Sequence, residues 1–362
     1  MTTGAMAAMA AGYIALFAAM PVIMNMGPKW FVAFQEWMSV SSTSINTKNI
    51  LKELAEALDE ALVGQEYPKM QILSAVAGYL EAKDNPHAKS GSLILHLAGI
   101  SGSGKSVAVD VIKRVLLGES AESIKISYSS IDSSIKNSRS VVDQLLGQTE
   151  GNYGGIKVDK NTKLAAQLIH NPKTVIEIHE LDKLMQKDDS MQAWLWDMAD
   201  EGRTYINGKP VDCRDTIVLI TSNSSKGSVG LGVDDEDPTK SLTKIDFKQM
   251  FLNRIPTIYF GDFMLEEYVK ITCQKLEAVV KYYKEKFSLE INISDETVSK
   301  IAAELKDKKT GGVRNIKPYL NKIYTNLAEF RREKDITEST KHSEPLNIIL
   351  EYDETVSDFI IK

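Results

Sequence analysis

The stretch Gly99-Ile100-Ser101-Gly102-Ser103-Gly104-Lys105-Ser106 fits the spacing G-x-x-x-x-G-K-[ST] at every fixed position. Each residue type has a task in phosphate chemistry. Glycines let the backbone curl until its N–H groups face phosphate oxygens, and a helix starting at the end of the loop adds favourable potential. Lys105 can reach the β- and γ-phosphates of a nucleoside triphosphate, and the Ser106 hydroxyl can ligate Mg²⁺. An apolar run, LILHLA, enters the loop and a helical one, VAVDVIKRVLL, leaves it. A chance Gly/Ser turn would lack both flanks, so these residues predict a site for a nucleoside triphosphate.

A second stretch, VIEIHELDKL from Val175, reads as a buried parallel strand that delivers a polar pair, His179 and Glu180, to a ligand. Hydrolysis of a triphosphate calls for an acidic pair at such a place, and here the first member is histidine. A neutral imidazole brings no negative charge, and Mg²⁺ prefers oxygen ligands. Glu177 shares a strand face with His179, but two strand rises, roughly 6.6 Å, separate them, which makes Glu177 a poor substitute. The expectation is a hydrolytic strand with an altered metal shell. Either hydrolysis is slow or His179 holds Mg²⁺ indirectly, through a bound water.

These side chains need a scaffold. Apolar runs near 93–98, 124–128, 174–178 and 216–221 alternate with helical stretches, the signature of a parallel sheet covered by helices. Ahead of them, Ile50, Leu51, Leu54, Leu58 and Leu62 recur at helical steps, and a second helix runs through Ile72, Val76 and Leu80. Past Asp262 the pattern becomes helical (265–287, 295–305, 313–330), with a last strand-like run, LNIILEY. The fold class expected is α/β, an αβα sandwich around a parallel sheet at 49–262. A smaller, mainly helical domain with a terminal strand follows at 263–362.

The chain has 362 residues, 43% hydrophobic and 25% charged, with a net charge of −6. That balance argues against a nucleic-acid partner, which usually leaves a basic surplus. Two cysteines, Cys213 and Cys273, form neither a disulfide framework nor a metal spacing, which suits a reducing compartment. Residues 1–28 contain no charged side chain, and their Ala/Met-rich run is long enough to cross a bilayer as a helix. Lys29, Trp30, Phe31, Phe34 and Trp37 follow, like an interfacial belt. A basic n-region typical of a cleaved signal is missing; the remaining alternative is a buried or partner-binding hairpin kinked at Pro21. The expected anchor is single-pass, at 1–28, with an interfacial segment and Ser/Thr-rich linker at 29–48. The body then faces the cytosol.

In motif order, residues 50–355 resemble the AAA+ ATPases of the Clp chaperone type, particularly their C-terminal ATPase module, with the membrane-associated torsins as relatives. LVGQEYPKMQILSAV resembles that module's opening segment, which places Val63 near the adenine. HELDKL through TSNSS resembles the stretch from the acidic strand to sensor 1, FLNRI the segment presenting an arginine finger, and GGVRNIKPYL the sensor 2 helix. The resemblance implies ATP with Mg²⁺ as cofactors and Glu180 as the catalytic base. It makes Asn223 the orienter of the attacking water, Arg254 a finger acting on the neighbouring subunit's phosphates, and Arg314 a phosphate sensor. A finger acting in trans implies a homo-oligomeric ring, by analogy a hexamer. LLGQTEGNYGG resembles a pore loop that grips protein substrates, with Tyr153 as the aromatic, one place later than usual, where this chain has Asn152. The function implied is a membrane-anchored motor that unfolds, remodels or translocates proteins. A torsin-like, weakly hydrolysing switch that regulates a partner is the alternative.

Overall fold

The computed structural model describes residues 45–85, 91–118, 123–127, 140–146, 163–185, 190–223, 254–308, 311–337, 346–353 and 358–361. In chain order the first elements are α1 (Ile45–Ala61), α2 (Glu66–Asp84), β1 (Leu93–Gly99), α3 (Lys105–Leu117), β2 (Ser123–Ser127), α4 (Val141–Leu146) and α5 (Lys163–His170). Then come β3 (Val175–His179), α6 (Leu181–Met185), α7 (Ser190–Glu201), the hairpin β4 (Arg203–Ile206) and β5 (Lys209–Asp212), β6 (Ile217–Asn223) and β7 (Thr257–Phe260). The chain continues through α8 (Leu265–Phe287), β8 (Leu289–Ile293), α9 (Asp295–Asp307), α10 (Ile316–Glu333), β9 (Leu346–Asp353) and β10 (Asp358–Ile361). Two compact units result. One takes the described residues up to Ala98, from Lys105 to Asn223 and from Arg254 to Phe260; the other takes Gly99–Gly104 and everything from Gly261.

In the first unit, five strands lie in the order β2-β3-β6-β1-β7, with β2–β3 and β3–β6 paired in parallel. The near-continuous apolar runs are explained by burial of both faces. Ile94, Ala98, Ile176, Ile178, Val218 and Ile220 point to one core, shared with Met191, Trp194, Leu195 and Met198 of α7. Leu93, Leu95, Leu97, Val175, Ile217 and Leu219 point the opposite way. There they meet Leu51, Leu54 and Leu58 of α1, Ile72 and Val76 of α2, and Val109 and Ile112 of α3. Period-two alternation therefore sorts one set of strands between two helical layers, the expected αβα sandwich. Among the described residues the sheet ends on two short strands, β2 with five residues and β7 with four.

Two boundaries differ from the sequence reading. α1 begins at Ile45, inside the expected linker, because its first turn is packed: Thr47 is buried and donates to Asp84 of α2 over 3.4 Å. The second unit holds a three-stranded sheet rather than one terminal strand, in the order β10-β9-β8, with β8 parallel and β10 antiparallel to β9. β8 escaped the pattern because it follows α8 directly, through Ser288 at φ 54. α9 is capped by Ser294, whose hydroxyl accepts the Thr297 N–H at 3.1 Å, a regular N-cap. Among the described residues no helix is long and apolar enough to cross a membrane. The expected anchor at 1–28 and the rest of 29–44 lie outside the described residues.

Candidate active site

The phosphate loop leaves β1 at Gly99 and enters α3 at Lys105. Gly99, Gly102 and Gly104 have φ of 146, 82 and 98°, backbone that a side chain would strain. The Ser103 hydroxyl is spent inside the loop, donating to the Ile100 carbonyl at 2.9 Å. Within the second unit, the Arg314 guanidinium donates to Ser101 Oγ at 2.9 Å. A Cβ on Gly102 would come within 2.3 Å of the Gly311 carbonyl oxygen, so that close approach also demands glycine. Lys105 is buried in the first turn of α3 and Ser106 is exposed beside it. Left-handed glycines with a buried lysine and a hydroxyl at a helix start suit the phosphates of a nucleotide.

β3 and β6 bring the other groups to one end of the sheet, with His179 opposite Thr221. Glu177 is 1% exposed and points, as Val175 does, toward α3. Its carboxylate meets Lys113 at 3.2 Å, Lys125 at 3.5 Å and His179 Nε2 at 3.4 Å. Burial alone would push its pKa up, but hydrogen bonds from His179, Ser123 and Lys113 prevail and hold it near 2. Glu177 is thus an ionised, fully engaged acid, not a spare metal ligand. His179 Nδ1 lies 3.4 Å from the Thr221 hydroxyl. Both ring nitrogens therefore face protein groups, and the water-mediated metal contact expected of His179 requires the ring to leave at least one of them. Among the described residues no group of three or more His, Cys, Asp or Glu side chains is placed to hold a metal ion. The Ser106 hydroxyl at the start of α3 is an oxygen that would suit Mg²⁺.

Glu180 directly follows β3 with φ of 57°, a left-handed non-glycine residue whose strain, about 1–3 kcal/mol, is typical of functional positions. Its carbonyl starts α6, accepting from Lys183 and Leu184 N–H at 3.0 and 3.3 Å. The side chain is 40% exposed and pairs with Lys183 at 2.9 Å. A pair this open is worth little, so the carboxylate is available to a water molecule. Asn223 ends β6, where its N–H lies 3.4 Å from Oδ1 of Asp182. Asp182 is an addition to the sequence reading: it is buried, and burial pushes its pKa up against the help of the Asn223 N–H. Its position two residues past Glu180 was the available signal.

Arg254 does not join these groups; its guanidinium sits on α7, with Nε 3.1 Å from Asp200 and the charge 5.2 Å above the Trp196 ring. Val63 lies half-buried in the turn between α1 and α2, followed by Gly64 and Gln65 at φ 63 and 57°. Tyr153 lies outside the described residues.

Comparison with known proteins adds to this geometry. Residues 92–258 match the family model of the AAA domain (Cdc48 subfamily). The chain is similar to the chaperone protein ClpB of Clostridium perfringens, 26% identical over 306 residues, which cover 81% of this chain and 34% of ClpB. It is similar to the ATP-dependent Clp protease ATP-binding subunit ClpE of Bacillus subtilis, 28% identical over 266 residues, 70% of this chain and 36% of ClpE. The corresponding subunit ClpC of Staphylococcus aureus is 26% identical over 310 residues, 81% of this chain and 36% of ClpC. The chain spans about a third of the length of these curated relatives.

Proposed function

From a chain that carries a Clp-type AAA+ ATPase module, we infer a motor that hydrolyses ATP in a ring of like subunits and acts on protein substrates. The observation that carries this reading is the convergence at one end of the sheet. Lys105 follows β1, Glu180 follows β3 and Asn223 ends β6, the end where ligands of such sheets bind. Lys105 and the loop amides hold the phosphates. Glu180 takes a proton from water that Asn223 orients, and Arg314 reads the phosphates through the loop. Mg²⁺, for which the Ser106 hydroxyl is the candidate protein ligand, would supply charge neutralisation on the phosphates. Arg254, exposed and held among the described residues by α7, is the group offered to a neighbouring subunit, and Tyr153 is the residue offered to a polypeptide in the pore.

The test is a mixing experiment. Arg254→Ala should bind ATP as the parent does and hydrolyse it roughly 10²–10³-fold more slowly, the cost of one preorganised charge-stabilising group. Adding Lys105→Ala subunits, which carry intact fingers beside dead sites, should restore part of the rate, and an unfolded polypeptide should stimulate the parent. No restoration on mixing would overturn the ring; no response to polypeptide would overturn the substrate class.

A second reading, a weakly hydrolysing switch that regulates a partner, is favoured by one observation, the histidine at 179. His179→Asp should raise kcat if the altered shell limits hydrolysis. The gain should stay at the low end of one preorganised charge, about 10²-fold at most, because the new carboxylate would stand beside ionised Glu177. Steady-state turnover checks it: an unchanged rate would remove the support for a switch.

We further propose that residues 1–28 tether the module to a membrane with the ATPase facing the cytosol, on the uncharged run described above. The intact chain should then resist carbonate extraction and a chain lacking 1–38 should be released. Release of the intact chain would refute the anchor.

A further inference from the structure

His96 is the polar exception in β1's apolar run, and it is completely buried, so both ring nitrogens must find partners inside the protein. Nε2 lies 2.7 Å from the Ser222 hydroxyl on β6, and Nδ1 lies 3.1 Å from the Thr257 hydroxyl on β7. β1 is the strand between β6 and β7, so a single imidazole spans three neighbouring strands. Burial, with the Lys105 charge adding to it, pushes the His96 pKa down to about 3. The ring is therefore neutral and has one donor and one acceptor. Thr257 Oγ1 donates to the Ile255 carbonyl at 3.3 Å, which uses its single proton and obliges it to accept from Nδ1–H. Nε2 must then accept from Ser222. The network thus assigns one direction: Ser222 O–H to His96, His96 N–H to Thr257, Thr257 O–H to Ile255.

The ends of this chain are informative. Ser222 directly precedes Asn223, and Ile255 directly follows Arg254. We propose that His96 is a positioning residue that fixes the strand end carrying Asn223 against the segment carrying Arg254, so that a subunit's own nucleotide sets the finger it offers its neighbour. The proposal rests on the ring reading above for its second half. A leucine would satisfy β1's packing as its other positions do; what the imidazole adds is a rigid, directional tie between the two flanking strands. His96 touches neither nucleotide nor water in this role and acts through Asn223 and Arg254.

The experiment separates the two ends of the tie. Ser222→Ala, Thr257→Val and His96→Leu should each bind ATP with unchanged affinity while kcat falls about 10–100-fold, as for other supporting-shell residues. Mixed with Lys105→Ala subunits, Thr257→Val should regain activity, because its intact site receives an ordered finger from its neighbour. Ser222→Ala and His96→Leu should not regain it, because the damage lies in their own sites. Arg254→Ala mixed with Lys105→Ala is the control. If the control is not restored, the ring reading falls, while positioning of Asn223 is still judged from kcat against ATP affinity in Ser222→Ala. Parental kcat in both hydroxyl variants would overturn the proposal. So would loss of affinity, kcat and melting temperature together, or an identical response of the two to mixing where the control is restored. His96→Leu counts only where its melting temperature stays near the parent's; the two hydroxyl variants carry the test otherwise.

Discussion

Glu180→Gln is expected to leave ATP bound and stop its turnover, with kcat falling by roughly 10³–10⁴-fold, the upper part of the range for losing a general base. The amide keeps the size and the backbone of the residue, so the left-handed turn at φ 57° that aims the side chain out of β3 survives. What disappears is the ability to accept a proton. The accompanying loss of the Lys183 pair is small, since both partners are 40% or more exposed and such pairs contribute about 0–1 kcal/mol. Equilibrium nucleotide binding beside single-turnover hydrolysis separates the two effects. Hydrolysis at the parental rate would dismiss Glu180 as the base, and the buried Asp182 would be the next carboxylate to examine.

Lys105→Ala should have the complementary result, with affinity lost before chemistry. Lys105 is 7% exposed at the start of α3, and on the proposed function it is the cation that faces the phosphates. Hydrogen bonds to charged groups contribute about 1.5–3 kcal/mol each, so losing contacts to two phosphates corresponds to roughly 10²–10⁴ in Kd. The fold should tolerate the change, because the helix continues through Ala108, Val109, Val111 and Ile112, which carry its packing. Titration with a fluorescent ATP analogue measures it. Unchanged affinity would sink the assignment of the loop, whatever its glycines look like.

The phosphate loop was readable because its causes are local: glycines at left-handed φ, an apolar strand before and a helical period after. β1, β3 and β6 were readable for the same reason, as buried runs whose both faces are apolar. β7 was not, because four residues cannot establish a period, and β8 was hidden by its direct succession to α8. The start of α1 at Ile45 depended on Thr47 reaching Asp84, thirty-seven residues away, which no local pattern encodes. At the site, the types and order of Lys105, Glu180 and Asn223 were legible, and their partners were not. Glu177 and His179 were recognised as sharing a face, but Lys113 comes from α3, Lys125 from β2 and Thr221 from β6. His96 lay unremarked in the apolar run, because its two hydroxyl partners, Ser222 and Thr257, come from the strands on either side. Arg254 could be assigned a purpose from its motif, while its resting contacts, Asp200 and Trp196, come from a helix more than fifty residues earlier.

The two short strands that finish the main sheet among the described residues bear on solubility. An unpaired strand edge is a template on which another extended chain can add itself, and its hazard grows with length and flatness. β7 exposes only four residues along that border and β2 only five. β2 also places Lys125, whose side chain is 62% exposed, at the middle of its edge, where an incoming strand would have to accommodate a cation. If the protein meets extended polypeptides, as proposed above, borders this short would close the accidental route of capture, strand addition at the sheet's own edge, and leave such chains to another surface.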